Sequence, residues 1–256
     1  MKKTRGRPRK KLSVLVVPDA HARVTESNRR FTALGRFIAD KQPDIVVNIG
    51  DLADMSALCT YDKGTFHAEG RRYEDDIKAA NDALQKIHAE TKQVKKGIKY
   101  YVTIGNHENR IYRAAVQDPH LYGTIKLQDI QFEKYGYTVV PFLKPLVIEN
   151  VVFQHFFTSG MMGRPIGGEN HARTLVKRNY MSSVCGHSHA RDYWEDTRAD
   201  GKKAFGLIVG CYDEGEHSYT TEKHRWWSGL VILHEVHDGQ AEPAFYSIDY
   251  VLRKYL

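Results

Sequence analysis

An α/β fold is predicted for this chain by three regularities. Short β-branched runs recur along it, amphipathic helical patterns separate the early ones, and the C-terminal third turns into closely spaced strands with little helix between them. At 256 residues with 41% hydrophobic composition, the chain can close one substantial core. The reading is one domain over residues 12–256, preceded by a basic tail over residues 1–11.

The elements follow in order. LSVLVV (12–17) is a strand, and Phe31, Leu34 and Ile38 mark one face of a helix after Glu26. DIVVNI (44–49) is the second strand. Tyr73, Ile77, Ala80, Leu84 and Ile87 step by fours and threes along a longer helix. KYYVTI (99–104), PLVIENVVFQ (145–154) and SSVC (182–185) are each read as one buried strand. AFGLIVGC (204–211), GLVILHEV (229–236) and PAFYSIDYV (243–251) are then strands of a mixed or antiparallel sheet, with turns such as His237-Asp238-Gly239 between them. Residues 55–72, 157–170 and 212–227 are polar and glycine-rich and read as loops over a site. They carry aromatic and basic side chains, among them Tyr61, Phe66, Arg71, Arg72, Tyr219, Lys223, Arg225 and Trp226.

The formal charge of +7 arises from 38 Lys and Arg against 31 Asp and Glu. Lys2, Lys3, Arg5, Arg7, Arg9, Lys10 and Lys11 account for the whole excess, so the body is formally neutral and any attraction to polyanions resides in the tail. Three cysteines without a CxxC pair argue against a disulfide framework and for a reducing compartment, with the cytoplasm as the expected location. No apolar run approaches a membrane span, so no membrane is expected as a partner.

The chemistry lies where the apolar runs end. Val14–Val17 leads to Asp19 and His21, Ile45–Ile49 to Gly50-Asp51, and Tyr101–Ile104 to Gly105-Asn106-His107-Glu108. Val151–Phe153 leads to His155, and Val184-Cys185 to Gly186-His187-Ser188-His189. Beyond the carboxyl ends of strands such residues can converge. Asp19 and His21, like His187 and His189, are two apart, a spacing that puts both side chains on one side of extended backbone. Two Asp, one Asn and four His form an oxygen and nitrogen donor set without thiolate, suited to Mn²⁺, Fe, Zn²⁺ or Ni²⁺ and too large for one tetrahedral ion. Two ions sharing a carboxylate would use it. His171 is the alternative to His155.

The ordered set D-x-H, G-D, G-N-H-E, H and G-H-x-H over about residues 12–190 resembles the calcineurin-like metallophosphoesterases. That resemblance implies a sandwich of two packed mixed β-sheets flanked by helices and a metal-dependent phosphoester hydrolase. It further implies two divalent ions, manganese first, with iron, zinc, nickel or magnesium as alternatives. Asp19, His21 and His189 would hold one ion, Asn106, His155 and His187 the other, and Asp51 both, with a bridging water or hydroxide as nucleophile. His107 would protonate the leaving oxygen or stabilise charge on the phosphoryl group. Glu108 is expected to orient it, Arg110 to contact a phosphate oxygen, and Asp54 to support a ligand or cap a helix. Met55-Ser56 after Asp54 and Phe156-Phe157 after His155 depart from the protein Ser/Thr phosphatases and count against a phosphoprotein substrate.

In the tail, Arg5-Gly6-Arg7-Pro8-Arg9 resembles an AT-hook, in which a thin extended backbone lets arginines enter the minor groove of AT-rich DNA. The segments 56–72 and 226–229 resemble phosphoesterases of tailed phages, which would place the protein in the host cytoplasm. The expectation is a DNA-directed phosphodiesterase or nuclease, with a phosphomonoesterase or small-nucleotide hydrolase as the alternative. A DNA-anchored binding module with a degenerate site ranks last, since all seven ligands and His107 are present.

Overall fold

A computed structural model describes residues 11–94, 97–214 and 226–256. The AT-hook-like segment Arg5, Gly6, Arg7, Pro8 and Arg9, and the loop residues Tyr219, Lys223 and Arg225, lie outside the described residues. Lys11, assigned to the tail from sequence, pairs with Glu235 at 2.6 Å on the surface of the body.

Two packed sheets form the centre. The first runs in the order β13 (Gln240–Ser247), β12 (Gly229–His237), β1 (Leu12–Val17), β2 (Ile45–Asn48), β3 (Lys99–Thr103) and β4 (Tyr137–Val140). From β1 to β4 its strands are parallel, and β12 and β13 add antiparallel. The second runs β10 (Arg191–Thr197), β11 (Lys203–Val209), β9 (Ser182–Cys185), β6 (Val151–Phe153) and β5 (Leu146–Ile148), with β11, β9 and β6 parallel. A two-stranded hairpin, β7 (Thr158–Ser159) with β8 (Arg164–Pro165), lies apart.

Alternation along each strand builds the layers. In β1, Val14 and Val16 face Val151, Phe153, Val184 and Leu207 of the second sheet, while Leu15 and Val17 face the helices. On the outer side of the first sheet pack α1 (Arg29–Lys41), α2 (Tyr73–Thr91) and α5 (Ile248–Tyr255), through residues such as Phe31, Leu34, Ile38, Leu84 and Val251. On the outer side of the second packs α4 (His171–Asn179), through Ala172 and Leu175. A further helix, α3 (Asn109–Gln117), follows β3. Central strands read as unbroken apolar runs because both of their faces are covered.

Two sequence readings are corrected. Residues 145–154 form two strands, since Glu149 and Asn150 take φ of 46° and 64° and close a tight hairpin of the primed kind. Residues 243–251 change structure at Ser247, whose side chain accepts the N–H of Tyr250 and caps α5. The strand pattern through Phe245 conceals that switch because Ile248 and Val251 serve a helix face equally well. Strand β10 was not foreseen, because its exposed RDYWEDT lacks an apolar run.

Candidate active site

Strands β1, β2 and β3 of the first sheet and β6 and β9 of the second deliver Asp19, Asp51, Asn106, His155 and His187 to one edge. The backbone leaves the strands abruptly there. His21, Asp51, His187 and His189 have φ of 43°, 53°, 68° and 56°, left-handed values that non-glycine residues adopt rarely and chiefly at sites of function. The extended backbone assumed from sequence is therefore replaced by tight turns, and His187 and His189 fall in different donor groups. A Cβ on Gly105 would collide with the Asp51 carboxylate, and one on Gly186 with that of Asp19, so both positions require glycine.

Among the described residues three sets of donor atoms lie within 4.8 Å of one another: Asp19, His21 and His189; His21, Asp51 and His107; and Asp51, His155 and His187. Asp19 and Asp51 are fixed in the same way. The Oδ2 of Asp19 accepts the backbone N–H of His187, and the Oδ1 of Asp51 accepts that of His107, both at 2.9 Å. His155 donates Nδ1–H to the Ile49 carbonyl at 3.0 Å, which turns its Nε2 toward Asn106 Oδ1 at 2.9 Å and Asp51 Oδ2 at 3.2 Å. His171 joins none of these sets; it opens α4, 3.8 Å from the Cys185 thiol.

Burial alone would raise the Asp51 and Asp19 carboxyls, yet the imidazoles beside them, His155 foremost, hold both below the usual range. Burial pulls His21 down to about 4 against the opposing hydrogen bond it donates to Asp54. His155 is pushed up to about 9, its desolvation outweighed by Asp51 and Asp19.

The residues fit divalent cations on two counts. Around one point the Nε2 atoms of His21 and His189 stand 3.1 Å apart with Asp19 Oδ2 at 3.3 Å from the latter; around another, His155 Nε2 meets two oxygen acceptors. Once the His155 Nε2 proton is given up, lone pairs converge in this buried space and suit a cation between them. Among the described residues the Oδ1 of Asp19 is also buried without a hydrogen-bond partner.

Three further residues surround these donors. Among the described residues the Glu108 carboxylate makes no hydrogen bond to the His107 ring. That buried carboxylate accepts the backbone N–H groups of Asp51, Ala53 and Gly105, each at 3.0 Å, and so ties the ends of β2 and β3 together. Asp54 supports two imidazoles and caps no helix: its Oδ1 lies 3.4 Å from His21 Nδ1 and 3.3 Å from His107 Nδ1, and its carbonyl accepts Nδ1–H of His107 at 2.6 Å. Arg110 donates to the carbonyls of Asp54 and Met55 and sets Nη2 3.2 Å from His107 Nε2. Sequence reasoning missed Arg30, fully buried in α1, which donates to the carbonyls of Ala20 and His21, with Asp213 3.6 Å away. A charged residue among the apolar positions of α1 and an acid just past a strand end were the available signals.

The sequence profile of the calcineurin-like phosphoesterases matches residues 12–245. The chain belongs to that family. Its members hydrolyse phosphoesters with metal ions, usually at a dinuclear site. Among similar solved structures are a dimetal phosphatase from Danio rerio, LOC 393393, at 10% identity and a TM-score of 0.44, covering 93% of this chain and 96% of that one. Another is TT1561 of Thermus thermophilus, at 7% identity and a TM-score of 0.39, covering 93% of this chain and 100% of that one. No curated protein matches the chain in sequence. Among the described residues no helix is long and apolar enough to cross a membrane.

In this family member the site opens into a hollow of about 830 Å³ reaching from His21 and Asp51 past Arg23 and Trp226 to Tyr61 and Arg72. A second hollow of about 210 Å³ adjoins it and runs to Arg113, Gln117 and Phe156. Tyr61, Asn106, Arg110 and His187 line both.

Proposed function

We propose that this phosphoesterase is a DNA-directed phosphodiesterase. Asp19, His21 and His189 would hold one divalent ion, Asn106, His155 and His187 a second, and Asp51 both, with Mn²⁺ as the expected ion. The observation that supports a diester is a pair of adjoining hollows that share Asn106 and His187, room for substrate beyond a single phosphoryl group. When bound, the ions would polarise the phosphoryl group as Lewis acids and provide the nucleophile.

The remaining work falls to side chains. Asp54 fixes the ring of His107 through Nδ1 and, with Asp51, raises its affinity for a proton against the cost of burial. His107 can then give the Nε2 proton to the leaving oxygen. The neutral ring that results accepts an N–H from Arg110 at that same nitrogen, so the spent acid is stabilised in place.

The tail supports DNA as the substrate. A single AT-hook-like segment on a formally neutral body would raise the local concentration of DNA without making the cleft basic, and a phage-type protein would meet that DNA in the host cytoplasm. A small-nucleotide or monoester substrate draws support from one feature, the acids Glu26, Asp62, Glu69 and Asp75 around the larger hollow, which disfavour a polyanion there.

Mn²⁺-supported cleavage of end-labelled single- and double-stranded DNA, beside an aryl monoester and an aryl diester, separates these readings. Cleavage of DNA that disappears in His107→Ala is expected. Turnover of the monoester alone would reject the diesterase.

A further inference from the structure

We propose that the smaller hollow is a subsite for a second phosphate of the substrate, with Arg113 as its specificity-determining residue. The proposal rests on the phosphoester reading of the adjoining site and adds the polarity of the substrate to it.

The two hollows differ in charge. Around the larger one, Arg23 pairs with Glu26 and Asp213, and Arg71 with Asp62, so much of its cationic charge is already neutralised. The smaller hollow has no carboxylate in its lining, and two arginines stand in it one turn apart on α3. Arg110 is committed to carbonyls and to His107. Arg113 has no hydrogen-bond or ion-pair partner among the described residues, although its exposed guanidinium lines the same small space as Asn106 and His187.

The rest of the lining suits a phosphate. Thr60, Tyr61 and Gln117 supply neutral donors, and no acid opposes an anion. Leu58 and Phe156 form apolar walls, with the Phe156 ring 4.8 Å from that of His187. The planar fork of Arg113 matches two phosphate oxygens. One phosphorus then sits at the buried carboxylates and imidazoles while a second phosphate of the same molecule occupies the small hollow. The uncharged or weakly charged part extends into the larger one, where acids stand. This second phosphate comes either from the neighbouring nucleotide of a chain or from a polyphosphate.

Calorimetric binding to the full-length Mn²⁺-loaded protein tests this, in the His107→Ala background to suppress turnover. The probes are thymidine 3′-phosphate, thymidine 5′-phosphate, thymidine 3′,5′-bisphosphate and thymidine 5′-diphosphate. A doubly phosphorylated probe is expected to bind about tenfold or more tightly than the better monophosphate, the scale of one charge-assisted contact. Preference for the bisphosphate assigns the subsite to a nucleic-acid chain, and preference for the diphosphate to a polyphosphate. Adding Arg113→Gln should bring the ratio to within about twofold of one, and Arg113→Lys should restore part of it. Each ratio is internal to one variant, so partial loss of folding cancels. A ratio near one without Arg113→Gln, or a ratio that survives it, would overturn the proposal. The diesterase reading stands or falls separately, on turnover of the aryl diester.

Discussion

At the floor of the cleft, Asp19, Asp51 and His155 are no more than 1% exposed, whereas on its rim Tyr61 is 89% exposed. Each floor residue is held by backbone from another strand: Asp19 by His187, Asp51 by His107, and His155 by Ile49. On the rim the nearest comparable contact is local, Arg71 to Asp62 and the Ser56 carbonyl. Chemistry common to a family demands fixed geometry, and the fold provides it through long-range contacts. Substrate choice tolerates mobile, exposed side chains on loops between elements.

The sharpest way to break this contrast is at the shared carboxylate. Asp51→Asn should lower turnover by at least about a thousandfold, because a neutral amide cannot balance charge at the place where two donor sets meet. Activity within threefold of the unaltered protein, under saturating Mn²⁺, would remove Asp51 from the chemistry. Asp54→Asn should have the next largest effect, lowering metal affinity or activity by about 10–100-fold, the range seen when a group orienting a ligand is lost. Thermal denaturation checks a structural prediction. Glu108→Gln should destabilise the protein by about 1–3 kcal/mol, since one amide oxygen cannot accept three backbone N–H groups and the amide nitrogen opposes one of them. On the rim, Tyr61→Ala should cost about 1–3 kcal/mol of single-stranded DNA affinity, the scale of one stacked base, with KM moving more than kcat. If Tyr61→Ala instead reduced kcat as severely as Asp51→Asn, floor and rim would not be separable. The smallest effect is expected from deleting residues 1–11. Hydrolysis of an aryl diester should persist while DNA association weakens and its salt dependence flattens.

The same contrast decides what could be read from sequence. The strand ends were legible because a buried parallel strand is an unbroken apolar run and the residue after it stands out, as Asp51 does behind Ile45–Ile49. All eight floor residues from five distant segments come together in the structure. The paths by which they do so were not legible. Nothing in His187-Ser188-His189 announces two left-handed residues, since non-glycine residues adopt them only where surrounding contacts impose them. The three-way tie made by Glu108 depends on backbone atoms just past the ends of β2 and β3 that sequence order separates by more than fifty positions. The hairpin at Glu149-Asn150 was hidden because glycine, the usual sign of such a turn, is absent. Pairing of Arg30 with Asp213 spans most of the chain and joins a helix to the end of a strand.

If the floor holds a pair of divalent ions through Asp51, equilibrium dialysis of metal-free protein against Mn²⁺ will count them. Two ions per chain are predicted, falling to one or fewer in Asp51→Asn, with electron paramagnetic resonance showing a spin-coupled pair only in the unaltered protein. A single ion per chain at saturation, or two ions retained without Asp51, would contradict the account.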